Sequence, residues 1–201
     1  MTSESTTGSP TGNPTDDTTD WLALLATAHR EFAARIESVE DWDAPTPDTE
    51  WSVRDLVAHV TEEQQWVPLL LAGSTTAEAR LAITPLGDDL PVEWHRYSRA
   101  AQAAWASADL GADVHLSYDT VTVSDYLTEQ VGDVTIHSWD LARATGAPEA
   151  LDDRLVDAVW GLFEPQAARL QSSGLYAPVV PVPTDAPLQI RLLALTGRDA
   201  S

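Results

Sequence analysis

The sequence predicts an all-α protein, a bundle of four or five amphipathic helices with a short β-hairpin insertion and a small C-terminal extension. Three observations predict it. Apolar residues recur at three- and four-residue steps through segments of roughly 15–22 residues. Loops rich in proline, glycine and aspartate separate these segments, and one stretch alone alternates as a strand does. Segments with such stripes bury them against one another, which yields a helical bundle.

The elements follow in chain order. From Trp21, the residues Leu22, Leu25, Ala28, Phe32, Ile36 and Val39 mark a first helix of roughly 20 residues. Asp43-Ala-Pro-Thr-Pro-Asp breaks the pattern, because proline cannot continue a helix interior. Ser52, followed by Asp55 three residues on, has the spacing of a capping box with a shorter acid and opens a second helix. Its stripe is Val53, Leu56, Val57, Val60, Val67 and Leu71, and Ala72-Gly73 ends it. Residues 74–90 read as irregular or weakly helical. A third helix runs from about Val92 to Asp109 through Trp94, Tyr97, Ala101 and Trp105.

Val114-His-Leu-Ser-Tyr and Val121-Thr-Val then alternate around Asp119-Thr120, which predicts a hairpin, a flap over one end of the bundle. Ser124 is the expected cap of a fourth helix with Leu127, Val131, Val134 and Leu141 on its stripe and Gly146 past its end. Asp152–Gln171 forms a fifth helix, kinked or divided at Pro165. An extended run, Ala177 to Pro187, leads to a short helix, Leu188–Leu195, closed by Gly197.

Composition divides the chain and narrows its chemistry. Residues 1–20 hold seven threonines, three serines and four acids with nothing large and apolar beyond Met1, so they read as a disordered acidic tail. The helical bundle is expected over 21–175 and the extension over 176–201. With 32 acids against 11 bases and a formal charge of −21, a nucleic-acid backbone or an anionic membrane would be repelled. Every base is arginine, so lysine Schiff-base chemistry is excluded. There is no cysteine, so disulfides, thiolate nucleophiles and Cys-ligated zinc are excluded as well. No stretch approaches the ~20 apolar residues of a membrane span. The absence of a basic residue before the first hydrophobic run argues against a secretory signal, and a soluble cytoplasmic protein is expected.

The ionisable groups beside the apolar stripes carry the functional signal. Asp133 and His137 stand four residues apart on the fourth helix, with Cβ atoms roughly 5–6 Å apart on one face. Such a pair can chelate a divalent ion, and the same spacing equally makes a weak surface ion pair. His59 flanks the stripe of the second helix. If the two helices are neighbours, the three groups converge into a two-histidine, one-carboxylate site of the kind bundles build between facing helices. Glu63 and Glu129, each one turn away, are rival or accessory carboxylates. His29, His95 and His115 have no patterned partner and read as structural, with His115 on the flap the nearest to a site.

Pro47-Asp-Thr-Glu-Trp51-Ser-Val-Arg-Asp55-Leu-Val-Ala-His59-Val resembles the helix-two motif of the mycothiol-dependent maleylpyruvate isomerase-like branch of the DinB superfamily. Asp133-Val-Thr-Ile-His137-Ser-Trp-Asp140-Leu-Ala-Arg-Ala-Thr-Gly146 resembles that branch's second motif, and Leu192-Leu-Ala-Leu-Thr-Gly-Arg198-Asp is similar to the tail of its single-domain actinobacterial members. The resemblance implies a DinB-like four-helix bundle with a divalent metal held by His59, Asp133 and His137. Zinc is the ion expected, with nickel or iron as alternatives. It further implies mycothiol as cosubstrate, the protein acting as a thiol transferase or isomerase on a small electrophile. The competing reading is a non-catalytic metal or small-ligand binding module. The isomerase has a glutamate where this chain has Asp133, and a full C-terminal domain that the residues here cannot form, which points away from maleylpyruvate itself. Small molecules are the expected partners, with a homodimer compatible. Arg143, Arg191 and Arg198 are candidate anchors for a carboxylate on thiol or substrate.

Overall fold

The computed structural model describes residues 19–48, 50–174 and 176–200. Its helices are α1 (Trp21–Ile36), α2 (Val53–Leu71), the short α3 (Thr76–Arg80), α4 (Leu90–Ser107) and α5 (Val123–Thr145), then α6 (Asp153–Phe163), α7 (Ala167–Ser173) and α8 (Leu188–Leu195). Between α4 and α5 lies an antiparallel hairpin, β1 (Asp113–His115) and β2 (Thr120–Thr122), in register at Val114↔Val121. Helices α1 and α2 each pack on both α4 and α5, so the four long helices form a square with α1 and α2 at opposite corners. Phe32, Ile36, Leu56, Val60, Trp94, Trp105, Leu127, Val134, Trp139 and Leu141 fill its centre. The hairpin packs on α2 and α5, while α6 lies against α5, α1 and α8. No helix among the described residues is long and apolar enough to cross a membrane.

The caps explain where the helices begin. At α2, Ser52 and Asp55 form the expected capping box, Asp55 N donating to Ser52 Oγ at 3.3 Å and Ser52 N to Asp55 Oδ2 at 3.0 Å. At α5 the cap is Thr122, not Ser124. Thr122 keeps an extended backbone and its hydroxyl accepts from Asp125 N at 3.0 Å, so the box partner Asp125 sets the start and Ser124 falls inside the first turn. Residues 74–90 contain α3, opened by a third capping box, Thr75 with Glu78. Helix α4 starts two residues earlier than expected, capped by Asp89, with Pro91 in the first turn, where a missing N–H costs nothing.

Further boundaries differ from the sequence reading. Helix α1 stops at Ile36, leaving Val39 in the following loop, and Leu22 is exposed where Leu24 and Leu25 are buried. On α2, Leu70 is buried and Leu71 only half-buried. The predicted fifth helix is divided at Pro165 into α6, a 3-10 turn over Glu164–Gln166 and α7. The tail expected to be disordered lies, through Thr18, outside the described residues. Asp20, counted with that tail by composition, caps α1 by accepting from Ala23 N at 3.0 Å.

Two connections aim side chains at one end of the square. The loop before α2 is clamped by a bridge between Pro45 and Ser52, with Thr46 N and Oγ1 both donating to the Trp51 carbonyl at 3.1 and 2.9 Å. This holds Trp51 above the first turns of α2. After α8 the chain turns at Gly197 with φ +80°, and a Cβ there would stand 2.6 Å from that of Ala177. Only glycine fits both the backbone and the space, and the turn sends Arg198 inward, where it is buried.

Candidate metal centre

Helix α2 delivers His59 on its second turn, and α5 delivers Asp133 and His137 from adjacent turns of its inner face. Because the two helices are neighbours, one ligating atom from each of these three side chains lies within 4.8 Å of the other two. His137 Nε2 stands 3.4 Å from Asp133 Oδ1, and the His59 and His137 rings meet edge to face with centroids 5.6 Å apart. Trp51 covers both, its ring 4.6 Å from His59 and 5.7 Å from His137. The second oxygen of Asp133, Oδ2, is buried without a hydrogen-bond partner. A buried carboxylate oxygen left so is costly unless something cationic or hydrogen-bonding completes it.

Behind His137 stands a second pair of residues. Its Nδ1 lies 3.2 Å from Oδ2 of Asp140, a carboxylate with no solvent exposure. Arg198 grips the same carboxylate with both ends of its fork, Nε to Oδ1 at 3.2 Å and Nη2 to Oδ2 at 2.8 Å, and donates Nη1 to the Thr196 carbonyl at 2.8 Å. With Nδ1–H donating to Asp140, Nε2 is the ring atom that faces Asp133, and it is the one free to ligate once its proton leaves. A carboxylate fixing the distal nitrogen of a ligating histidine is the usual support of a metal-bound imidazole.

Electrostatics make this a site for positive charge. Burial would lower the pKa of His137, but Asp133 and then Asp140 overcome it and hold the group up at about 9. Burial likewise opposes ionisation of Asp133 and of Asp140, and both are nonetheless pulled below the ordinary carboxylate range, by His137 foremost and for Asp140 by Arg198 too. His59 is lowered, by burial first, against the opposing pull of Asp133. Glu63 is pushed up to about 7, by burial and then by Asp133. A proton on His137 thus fills the place of a cation between two carboxylates, and a divalent ion would displace it.

The other sequence candidates separate cleanly. His29 is buried in the core beside Trp94, with Nδ1 3.0 Å from Gln102 Nε2. His95 pairs with Glu37 on the surface at 3.7 Å, and His115 bonds Thr120 within the hairpin at 3.1 Å. Glu129 accepts a hydrogen bond from Tyr118 and does not join the cluster. The three arginines offered as substrate anchors are engaged elsewhere. Arg198 is buried on Asp140, Arg143 pairs with Glu149 at 2.9 Å and lies over Trp139, and Arg191 lies over Trp160. Sequence reasoning missed the supporting role of Asp140 and Arg198. The local signal was Asp140 itself, an acid three residues after His137 in a run that is otherwise buried.

Residues 22–142 match the family described as the mycothiol maleylpyruvate isomerase N-terminal domain. An uncharacterized protein of Mycobacterium tuberculosis, strain H37Rv, is 28% identical over 179 residues that span 85% of this chain and 93% of the relative. The corresponding protein of strain CDC 1551 / Oshkosh matches to the same extent. Among solved structures, a histidine-to-alanine mutant of the mycothiol-dependent maleylpyruvate isomerase superposes with a TM-score of 0.57 at 17% identity, over 75% of this chain and 68% of that one. That likeness establishes the DinB-like fold. The matched stretch contains α1 through most of α5, including His59, Asp133, His137 and Asp140, and the chain belongs to the mycothiol maleylpyruvate isomerase N-terminal domain family.

Proposed function

We propose that the protein binds a divalent metal, zinc foremost, through His59, Asp133 and His137, and acts as a mycothiol-dependent transferase or isomerase on a small electrophile. The observation that carries this reading is the convergence of the three candidate ligating atoms within 4.8 Å, with Asp133 Oδ2 buried and unpartnered. Two imidazoles and one carboxylate suit zinc, and three protein ligands leave room for a substrate, as catalytic sites do. When bound, such an ion supplies Lewis acidity and raises the acidity of a thiol at neutral pH.

The chain's own residues do the rest. Asp140 keeps the Nδ1 proton of His137 and so keeps Nε2 available, and Arg198 keeps Asp140 ionised and in place. Trp51 lies across both imidazoles and limits the access of water from that side. The chain has no cysteine, so the reacting sulfur belongs to a cosubstrate. Family membership supports mycothiol in that role.

The test is elemental analysis of the purified protein, followed by thiol-consumption assays across several electrophiles, with mycothiol and with a generic thiol. Metal-loaded protein should outpace its chelated control, and mycothiol should outpace the generic thiol. Bound metal without any rate difference would establish the binding module instead.

A further inference from the structure

The two imidazoles of the metal centre are held by unlike means. His137 is fixed through Nδ1 by Asp140, which Arg198 anchors in turn. His59 has no such support: among the described residues neither of its ring nitrogens makes a hydrogen bond, and only burial and nearby charges act on it. Its ring is half-buried and meets two others. Trp51 stands 4.6 Å away between centroids with 42° between the planes, and His137 stands 5.6 Å away at 77°. The outer torsion of a histidine is broad, so a ring without a partner samples many orientations. Only some of those turn a nitrogen toward Asp133 and His137.

Trp51 is itself held before α2 begins. Its N–H donates to the Asp48 carbonyl at 2.9 Å, and its carbonyl accepts from Thr46 N and Oγ1 at 3.1 and 2.9 Å. Just after it, Val53 N and Arg54 N lie in the first turn of α2, where no helical carbonyl is in reach. They donate to the carbonyls of Ala44 and Trp42, both at 2.9 Å. The loop and the helix start therefore form one hydrogen-bonded unit, and the indole is carried on main chain fixed on both sides. A large ring with two torsions loses little freedom when held this way.

We propose that Trp51 is the positioning residue of His59, its indole setting the orientation of that imidazole for metal binding as the Asp140–Arg198 pair does for His137. The proposal rests on the reading of His59, Asp133 and His137 as ligands. Tilted aromatic pairs at this separation attract beyond the area they bury, so the contact restrains the plane of the His59 ring. With that plane set, the ring stands edge to face with His137, and this is the arrangement in which the candidate ligating atoms lie within 4.8 Å of one another. The two supports differ in what they fix. A carboxylate on one nitrogen sets tautomer and orientation together, whereas an indole against the face sets orientation and leaves both nitrogens of His59 uncommitted.

The test compares Trp51→Leu and Trp51→Phe with the unaltered full chain by two readouts. Zinc affinity is measured by competition with a chromophoric chelator. In chelated, histidine-labelled protein, the nuclear Overhauser effect between the His59 and His137 rings reports their arrangement without any ion. Trp51→Leu should lose the ring signal and weaken zinc roughly 3- to 10-fold, the fold-change to which an ordinary aromatic contact converts. Trp51→Phe should restore most of both. If Trp51→Leu is too unstable by circular dichroism and Tm, Thr46→Val takes its place. It removes the Oγ1 bonds to the Asp48 and Trp51 carbonyls and should weaken both readouts. A folded Trp51→Leu, or Thr46→Val in its place, that keeps either the ring signal or the full zinc affinity overturns the proposal, as does a Trp51→Phe that loses as much as Trp51→Leu. A chain that binds no zinc in any form defeats the reading of the triad instead, and the ring signal alone then decides whether Trp51 orients His59.

Discussion

His29 and His137 are both closed off from water, at 2% and 7% exposure, and are perturbed in opposite directions. His29 sits against Phe32's neighbour Trp94 with Gln102 as its polar contact, and burial alone drives its pKa down to about 4. His137 is as deeply placed, yet Asp133 and Asp140 flank it and raise it to about 9. Burial does not decide which histidine is suited to hold a metal. The deciding feature is whether the surrounding elements bring anionic partners, because only those make a buried positive charge, a proton or a metal, favourable.

The largest test of that contrast removes His137. With one of only three proposed protein ligands gone, His137→Ala should hold no divalent ion in elemental analysis. His29→Gln, which preserves a polar contact for Gln102, and His95→Ala on the surface should both retain it. Ion retained by His137→Ala, or lost from His95→Ala, would dissolve the distinction between the sites.

Next in size is the support behind His137. Arg198→Met leaves Asp140 fully buried without its guanidinium, which should cost about 3–5 kcal/mol in denaturant unfolding and roughly 10- to 100-fold in metal affinity by calorimetry. The double variant Arg198→Met, Asp140→Asn removes the orphaned charge and should recover part of the stability while leaving metal affinity low.

The opposite shifts also predict opposite pH dependences. An unfolded histidine takes its proton near 6.5, whereas folded His29 takes it near 4. Between those values the unfolded state binds more protons, so the stability contributed by neutral His29 is complete above 6.5 and is lost as pH falls through 4. The loss is on the order of 3 kcal/mol, at about 1.4 kcal/mol per pH decade. For His137 in chelated protein the sign reverses. Its contribution is complete below 6.5 and lost as pH rises through about 9. Thermal midpoints across pH should show both limbs, with His29→Gln flattening the acid limb and His137→Ala the alkaline one.

The smallest effect concerns the helix that carries two of the proposed ligands. Thr122→Ala should lower stability by about 1 kcal/mol, the worth of an N-cap, while Ser124→Ala should change it by only a few tenths. A reversal of that order would return the start of α5 to Ser124.

Much of this arrangement is legible in the sequence because it is local. The stripe through Leu127, Val131, Val134 and Leu141, the Ser52–Asp55 box and the stops at Gly146 and Pro165 depend on residues within a turn or two of each other. The pairing of Asp133 with His137 is local as well, a matter of one helical turn. The cap of α5 was misassigned because Thr122 and Ser124 are equally competent by type, and only the reach of Asp125 back to Thr122 distinguishes them. Arg198 was misassigned for a different reason. It lies 58 residues from Asp140 in the chain, and nothing local distinguishes a buried partner of Asp140 from an exposed arginine waiting for a carboxylate.

By itself, then, the sequence determined the helices, their order, the hairpin and the two candidate ligands that share α5, since periodicity, caps and breakers act over a few residues. The meeting of His59 with that pair and the Asp140–Arg198 support behind it were decided only by tertiary structure. The first depends on which helix faces are neighbours, and the second also on the glycine turn at Gly197. Those are products of packing the whole core at once, and no short stretch of chain contains them.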